Sequence, residues 1–317
     1  MAKAQHLIPI SAYWILMRIQ KGKRVRLKNA KIDGVIDLSK LDLPTKTVDR
    51  TDFQKNVLKL PTECKIIDSL INISDSEFTG DVDFSNCIFN DISRFNGATF
   101  SEGAWFVGAT FNGDVRFDGA TFNGDVRFDG ATFRGNAKFD GATFSKDVWF
   151  NGATFSVGAG FDGTTFSGSA GFGGATLSVY TGFSAATFRG VVWFNDATFD
   201  GYARFDRVAF SGQAWFIKAT FSKDVWFDRA AFSEGVWFYK ATFSDFARFE
   251  GATFKGNVSF EGCKFEVDSL TFKDATFSHP HAQEEACRRA KNVLAKAGNR
   301  DEEEYHFYRE MVAKRIQ

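Results

Sequence analysis

Four cysteines in 317 residues, at Cys64, Cys87, Cys263 and Cys287, show neither a pairing rhythm nor a CxxC spacing. That excludes a disulfide framework and points to reduced, structural thiols and a cytoplasmic setting. Histidine is as scarce. Its four positions, His6, His279, His281 and His306, are too scattered for a metal or catalytic cluster. Charge of one sign is missing too, with 39 basic against 39 acidic residues and no net charge. No broad electrostatic pull on nucleic acid or an anionic membrane is expected from such a balance. Only four prolines occur, and the longest apolar run, Ala12 to Met17, is far too short to cross a bilayer. No signal peptide is visible at the start of the sequence.

Phenylalanine, by contrast, is abundant at 39 residues, and it is periodic. From Phe78 it recurs at 84, 89, 95, 100, 106, 111, 117, 122 and 128, in alternating steps of six and five. The beat runs to Phe265 with one substitution, Leu177. One period is the phrase GATFNGDVRFD, Gly108 to Asp118, repeated at Gly119 to Asp129. Steps of five and six drift around a 3.6-residue helix, so no apolar stripe would form. In an extended segment residues two apart share a face, which turns Ala98 and Phe100 inward and Thr99 outward. Glycine before each Ala-Thr-Phe marks the places where the backbone must turn.

These units resemble the pentapeptide-repeat family, whose pattern is A(D/N)LXX, in a variant with Phe at the centre. The likeness covers about 63–278, with weaker echoes at Leu27, Ile32, Leu38 and Leu43. The resemblance implies a mainly β fold, a right-handed quadrilateral parallel β-helix with four short sides per coil. The extra residue in every second unit makes 22 residues per coil, rather than the family's 20, and enlarges one pair of corners. At about 4.8 Å per coil, nine to ten coils would stack to a rod on the order of 45 Å.

Four regions follow. Residues 1–22 read as an N-terminal helical cap with Ser11 as its N-cap. Residues 23–62 read as a degenerate first coil plus an excursion loop at 44–62. Residues 63–278 are the β-helix proper. Residues 279–317 read as a C-terminal helical hairpin, Ala282–Ala297 and Arg300–Ile316, joined at Gly298-Asn299. Its expected facing stripes are Ala286, Ala290, Val293 and Leu294 against Tyr305, Tyr308, Met311 and Val312.

With 22 residues per coil, one outward column becomes Trp105, Arg127, Trp149, Gly171, Trp193, Trp215 and Trp237. Two residues on, Ile217 and Tyr239 extend it. The opposite column, Arg116, Lys138, Arg204, Trp226 and Arg248, stands beside Asp118, Asp140, Asp162, Asp206, Asp228 and Glu250. Trp and Tyr concentrate where interfaces bind hardest. Trp105, Trp149, Trp193, Trp215, Trp237, Ile217 and Tyr239 are therefore the candidate interaction face, for a protein partner or a second copy. The charged column reads as a solvated, self-neutralising ladder.

No GxSxG, HExxH, Walker or Rossmann pattern occurs, and no cofactor or metal is expected. The expected function is that of a non-enzymatic scaffold or protein-interaction module. Two other readings come from the resemblance. Related hairpins precede a membrane segment, so the chain would be the cytoplasmic portion of a channel-like protein, meeting a membrane only through a segment absent here. Related rods mimic DNA and bind gyrase, a role that the zero net charge and interleaved Arg and Lys disfavour.

Overall fold

In a computed structural model the chain is described over residues 7–266 and 269–316. It divides into two units, Met1–Gly168 and Ser169–Gln317. Each is a right-handed parallel β-helix with four sheets, one per side.

From Glu63 onward the register in the first unit is a constant 22 residues on every side. Thr99 pairs with Thr121, Ala104 with Val126, Thr110 with Thr132, and Ser93 with Val115. Inward phenylalanines stack directly on their equivalents one coil away. Phe100 and Phe122 lie 4.7 Å apart at 9°, and Phe106 and Phe128 lie 4.5 Å apart at 6°. Rings from opposite sides meet edge to face, as in Phe106 and Phe117 at 5.5 Å. Both geometries suit the ring quadrupole, so the column is held by more than burial alone. A small residue, mostly Ala or Val, stands two residues before most of the phenylalanines and leaves room for the rings, and nearly all of these are fully buried.

The aliphatic echoes form a first coil. Leu27 pairs with Ile73, Ile32 with Phe78, and Ile36 with Val82. Ahead of it, Ile8–Ser11 is a strand beside Ala30–Asp33, where the sequence suggested only the approach to a helix. Helix α1 (Ala12–Gln20) follows, capped by the Ser11 hydroxyl, which accepts from the Tyr13 N–H. It buries Ala12, Ile15 and Ile19 and leaves Trp14 outside under Arg18. The first six residues of the expected cap lie outside the described residues.

The excursion is an ordered strap. Thr45–Thr47 runs antiparallel to Glu63–Ile67, and a wide turn at Phe53–Val57 carries the chain along one corner of the coils. The Arg50 guanidinium donates to the Gly108 carbonyl at 2.8 Å, and the Gln54 amide donates to the Gly130 carbonyl at 2.6 Å. Leu58 and Leu60 lie where a Cβ on Gly130 would be, and the Phe53 ring lies where one on Gly152 would be.

The second unit repeats the register, with Trp193 opposite Trp215, Phe199 opposite Phe221, and Ala203 opposite Val225. Phe205 and Phe227 stack at 4.8 Å, and Leu177 takes the place of a ring without exposure. Of the residue inserted between Phe265 and Phe272, positions 267 and 268 lie outside the described residues.

A hairpin, α2 (Pro280–Ala297) and α3 (Arg300–Ile316), closes this unit, turning at Gly298 with φ of 76°. Helix α2 starts two residues before the expected boundary, because Pro280 fits a first helical position where no N–H is needed. It buries Ala286, Ala290, Val293 and Leu294 as expected.

Helix α3 is turned differently from its apolar pattern. Its buried residues are His306, Glu310 and Ala313, while Tyr308 is 69% exposed and Met311 also faces outward. The physical reason is the open backbone of the last coil. Arg309 donates to the carbonyls of Phe272 and Ala275, Tyr305 Oη accepts from the Asp274 N–H, and His306 Nε2 lies 3.5 Å from the Phe272 N–H. Satisfying those groups outweighed burying the apolar stripe.

Candidate functional site

Each coil turns twice through a left-handed residue, and this corner position sets what the sides can carry. In the first unit it is Asp75 and Asn86, then glycine at 97, 108, 119, 130, 141, 152 and 163. In the second unit it is Gly174, then Ala185, Asp196, Arg207, Lys218, Arg229 and Lys240, these six with φ of 53–57°, and glycine again at 251 and 262. A side chain in that conformation costs about 1–2 kcal/mol. Four of these six, Arg207, Lys218, Arg229 and Lys240, place long charged groups at the corners of the second unit, next to its outward columns.

One column in the second unit is the tryptophan side. Trp193, Trp215 and Trp237 occupy successive coils in register, preceded by Gly171 and followed by Ser259. The Trp215 and Trp237 rings stack at 4.2 Å and 19°, and all three are partly exposed. Ile217-Lys218 and Tyr239-Lys240 form the adjoining corner, with the Lys240 ammonium 4.9 Å from the centre of the Tyr239 ring. Neither lysine makes an ion pair among the described residues. In the first unit Trp105 and Trp149 are separated by Arg127 in the same column. The strap occupies the neighbouring corner there. The seven residues of the expected face therefore do not form one uniform surface. Trp193, Trp215, Ile217, Trp237 and Tyr239 are contiguous on the second unit, and Trp105 and Trp149 belong to the first.

The other column in the second unit is an open groove of about 790 Å³, lined by Arg204, Asp206, Arg207, Trp226, Asp228, Arg229, Arg248 and Glu250 among others. Arg204 Nε reaches Asp206 Oδ1 at 3.0 Å, Arg207 reaches the other oxygen at 3.3 Å, and Arg248 pairs with Asp228. Burial raises the Asp206 pKa, but the Ser184 hydroxyl and the two arginines outweigh it and hold the carboxyl below the usual range. In the first unit, burial and the like charge of Asp140 push Asp118 upward. This groove is the acid and base ladder expected from the sequence, and its cations are mostly matched within it. Tyr202, which stacks with Trp226 at 5.8 Å, was not anticipated. The 22-residue register pairs its strand with that of Trp226 and so could have found it.

Arg50, Gln54 and His306 also escaped the sequence reading. Burial lowers the Arg50 guanidinium pKa, and burial beside Arg309 lowers His306 to about 4. Their sequence signals were only a charged loop and a lone histidine. The thiols are structural: burial pushes Cys87 and Cys263 up to about 12 and Cys287 to about 11. His279 and His281 gather no partners for a metal, and among the described residues no group of three or more His, Cys, Asp or Glu could hold one.

A model described as pentapeptide repeats (9 copies) matches in overlapping stretches from 73–121 to 238–280, about two thirds of the chain. No curated protein and no solved structure gives a significant match. Twenty-two-residue coils, four parallel sheets, stacked inward phenylalanines and this match lead to one assignment: the chain belongs to the pentapeptide-repeat family.

Proposed function

We propose that the chain is a non-enzymatic scaffold that docks a protein partner through the tryptophan side of its second unit. The observation that carries this reading is the unbroken Trp193, Trp215, Trp237 column, flanked by Ile217 and Tyr239. Large rigid aromatics on a backbone fixed by ladders on both neighbours lose little entropy on binding, and such residues dominate interface energies. Lys218 and Lys240 favour an acidic rim on the partner.

The free thiols, buried at Cys64, Cys87 and Cys287 and partly buried at Cys263, support a reducing, cytoplasmic location. Among the described residues no helix is long and apolar enough to cross a membrane. A link to a membrane therefore rests on the family resemblance alone, as does gyrase binding.

The test compares proteins retained by the immobilised wild-type chain with those retained by the Trp193→Ser, Trp215→Ser, Trp237→Ser variant. A partner held by the first and lost by the second, at unchanged folding, is the expected result. Equal retention by a folded variant refutes docking on this side.

A further inference from the structure

Two files of the second unit depart from the repeat at the same place. In the outward file Gly182, Arg204, Trp226, Arg248, the one tryptophan is Trp226. In the neighbouring file of left-handed corners, Ala185, Arg207, Arg229, Gly251, the two arginines are those beside it. Arg207 and Arg229 hold φ of 57° and 53°, a conformation that Gly251 adopts without strain. All three side chains line the open charged groove of this unit. Tyr202 backs the Trp226 ring, and among the described residues no other ring and no cation stacks on that indole. Arg248, its neighbour one coil on, turns to Asp228 instead. The buried carboxylate of the groove is already neutralised, since Asp206 meets Arg204, Arg207 and the Ser184 hydroxyl. Arg207 uses one nitrogen for that contact, and Arg229 makes no ion pair among the described residues.

We propose that this groove binds a small molecule in which a planar ring is joined to a phosphate through a short link, a nucleoside monophosphate being the simplest of that class. The ring stacks on the uncovered face of Trp226, as a base does on an aromatic side chain. The phosphate lies between Arg207 and Arg229. Their planar guanidinium groups spring from neighbouring coils, about 4.8 Å apart, and bind phosphate oxygens in pairs. Trp226 and Arg229 are three residues apart, at most about 10 Å along the chain, a distance that a sugar between base and phosphate spans. Glu250 and Asp274 line the far end of the groove and repel an anion from it, which confines the phosphate to the arginine end. A bare anion leaves the Trp226 face unused, and a long polyanion runs into Glu250 and Asp274 within two coils. Both fit less well than a single ring with a single phosphate.

Equilibrium dialysis of the whole chain against labelled adenosine monophosphate, inorganic phosphate and adenosine is the test. One adenosine monophosphate per chain is expected, held more tightly than either fragment. Trp226→Leu should weaken it about tenfold and leave phosphate unchanged, because only the stacking is lost. Arg229→Gly should weaken adenosine monophosphate and phosphate alike, about tenfold each. Glu250→Gln should strengthen both, since it removes a repelling charge. The coil folds without either of the first two side chains, as Gly182 and Gly251 hold the equivalent positions in other coils, and circular dichroism verifies this for each variant. Three results overturn the proposal: no adenosine monophosphate retained at millimolar concentration; phosphate alone held as tightly as adenosine monophosphate; or unchanged affinity in the folded Trp226→Leu or Arg229→Gly chain.

Discussion

The two units share one core and differ at their corners. In the first, the left-handed positions Gly108, Gly130 and Gly152 lie beneath the strap, and a side chain at Gly130 or Gly152 would meet Leu58, Leu60 or Phe53. In the second, the matching positions run Gly174, Asp196, Lys218, Lys240 and Gly262, with no strap over them. One corner position thus has two uses. At Gly108, Gly130 and Gly152 the absence of a side chain lets the coil accept another segment of its own chain. Where Lys218 and Lys240 stand, about 1–2 kcal/mol of backbone strain is tolerated and charge is presented to solvent beside the aromatic side. Strain of that kind is commonly retained where a surface binds.

If the cores are equivalent, Phe117→Ala and Phe227→Ala should each cost about 3–5 kcal/mol, since each removes a ring stacked on both neighbours. Hydrogen exchange resolved by peptide would locate each loss in its own unit. A much smaller cost in one unit would break the equivalence.

Acid should then separate them. His306, in the second unit, has its pKa lowered to about 4 from an ordinary 6.5. The unfolded chain binds the proton more tightly, so stability is full above about pH 6.5 and declines as pH falls toward 4, by up to about 3 kcal/mol. Asp206 and Glu310, both held low, add losses of the same sign at still lower pH. In the first unit Asp118 and Asp129 are raised, so their protonation favours the folded form and works against the loss from Asp37, which is held low. Melting followed between pH 7 and 4.5 should show the second unit weakening first, and His306→Gln should flatten that slope.

The smallest effects test the corner itself. Gly119→Ala, with nothing near its new Cβ, should cost about 1 kcal/mol. Gly152→Ala must also displace Phe53 and should cost about 2–3 kcal/mol. Lys218→Gly should gain about 0.5 kcal/mol, because relief of strain exceeds the added unfolded-state entropy. Chemical denaturation of the three variants reads the series. Equal costs at Gly119 and Gly152 would mean that the strap contributes nothing.

Much of this was legible in the sequence, because a period repeated many times averages out local ambiguity. The coil length, the inward phenylalanines and the composition of each column follow from spacing alone. Arg50 and Gln54 were not legible, since the strap occurs once and its targets are backbone carbonyls with no sequence signature. The rotation of α3 was misread for a related reason. Hydrophobic periodicity assumes that apolar contact decides which face turns inward. Here Tyr305, His306 and Arg309 turn inward to meet the unpaired groups of Phe272, Asp274 and Ala275. The Trp column was legible as a column, but the strap corner that distinguishes Trp105 and Trp149 from their counterparts was not.

In a solenoid whose coils touch only their neighbours, disorder can enter at an end and advance coil by coil, each step costing no more than one interface. The strap changes that order of events. Arg50 and Gln54 reach residues 58 and 76 positions further along, and their two anchors lie one coil apart. Several coils of the first unit are therefore tied by a segment outside the ladder, and freeing any one of them requires detaching what holds the others. Pulled from its N-terminus in a force experiment, the strapped stretch should come apart in one large event rather than as a train of small ones, giving a repeat protein a short interval of all-or-none behaviour.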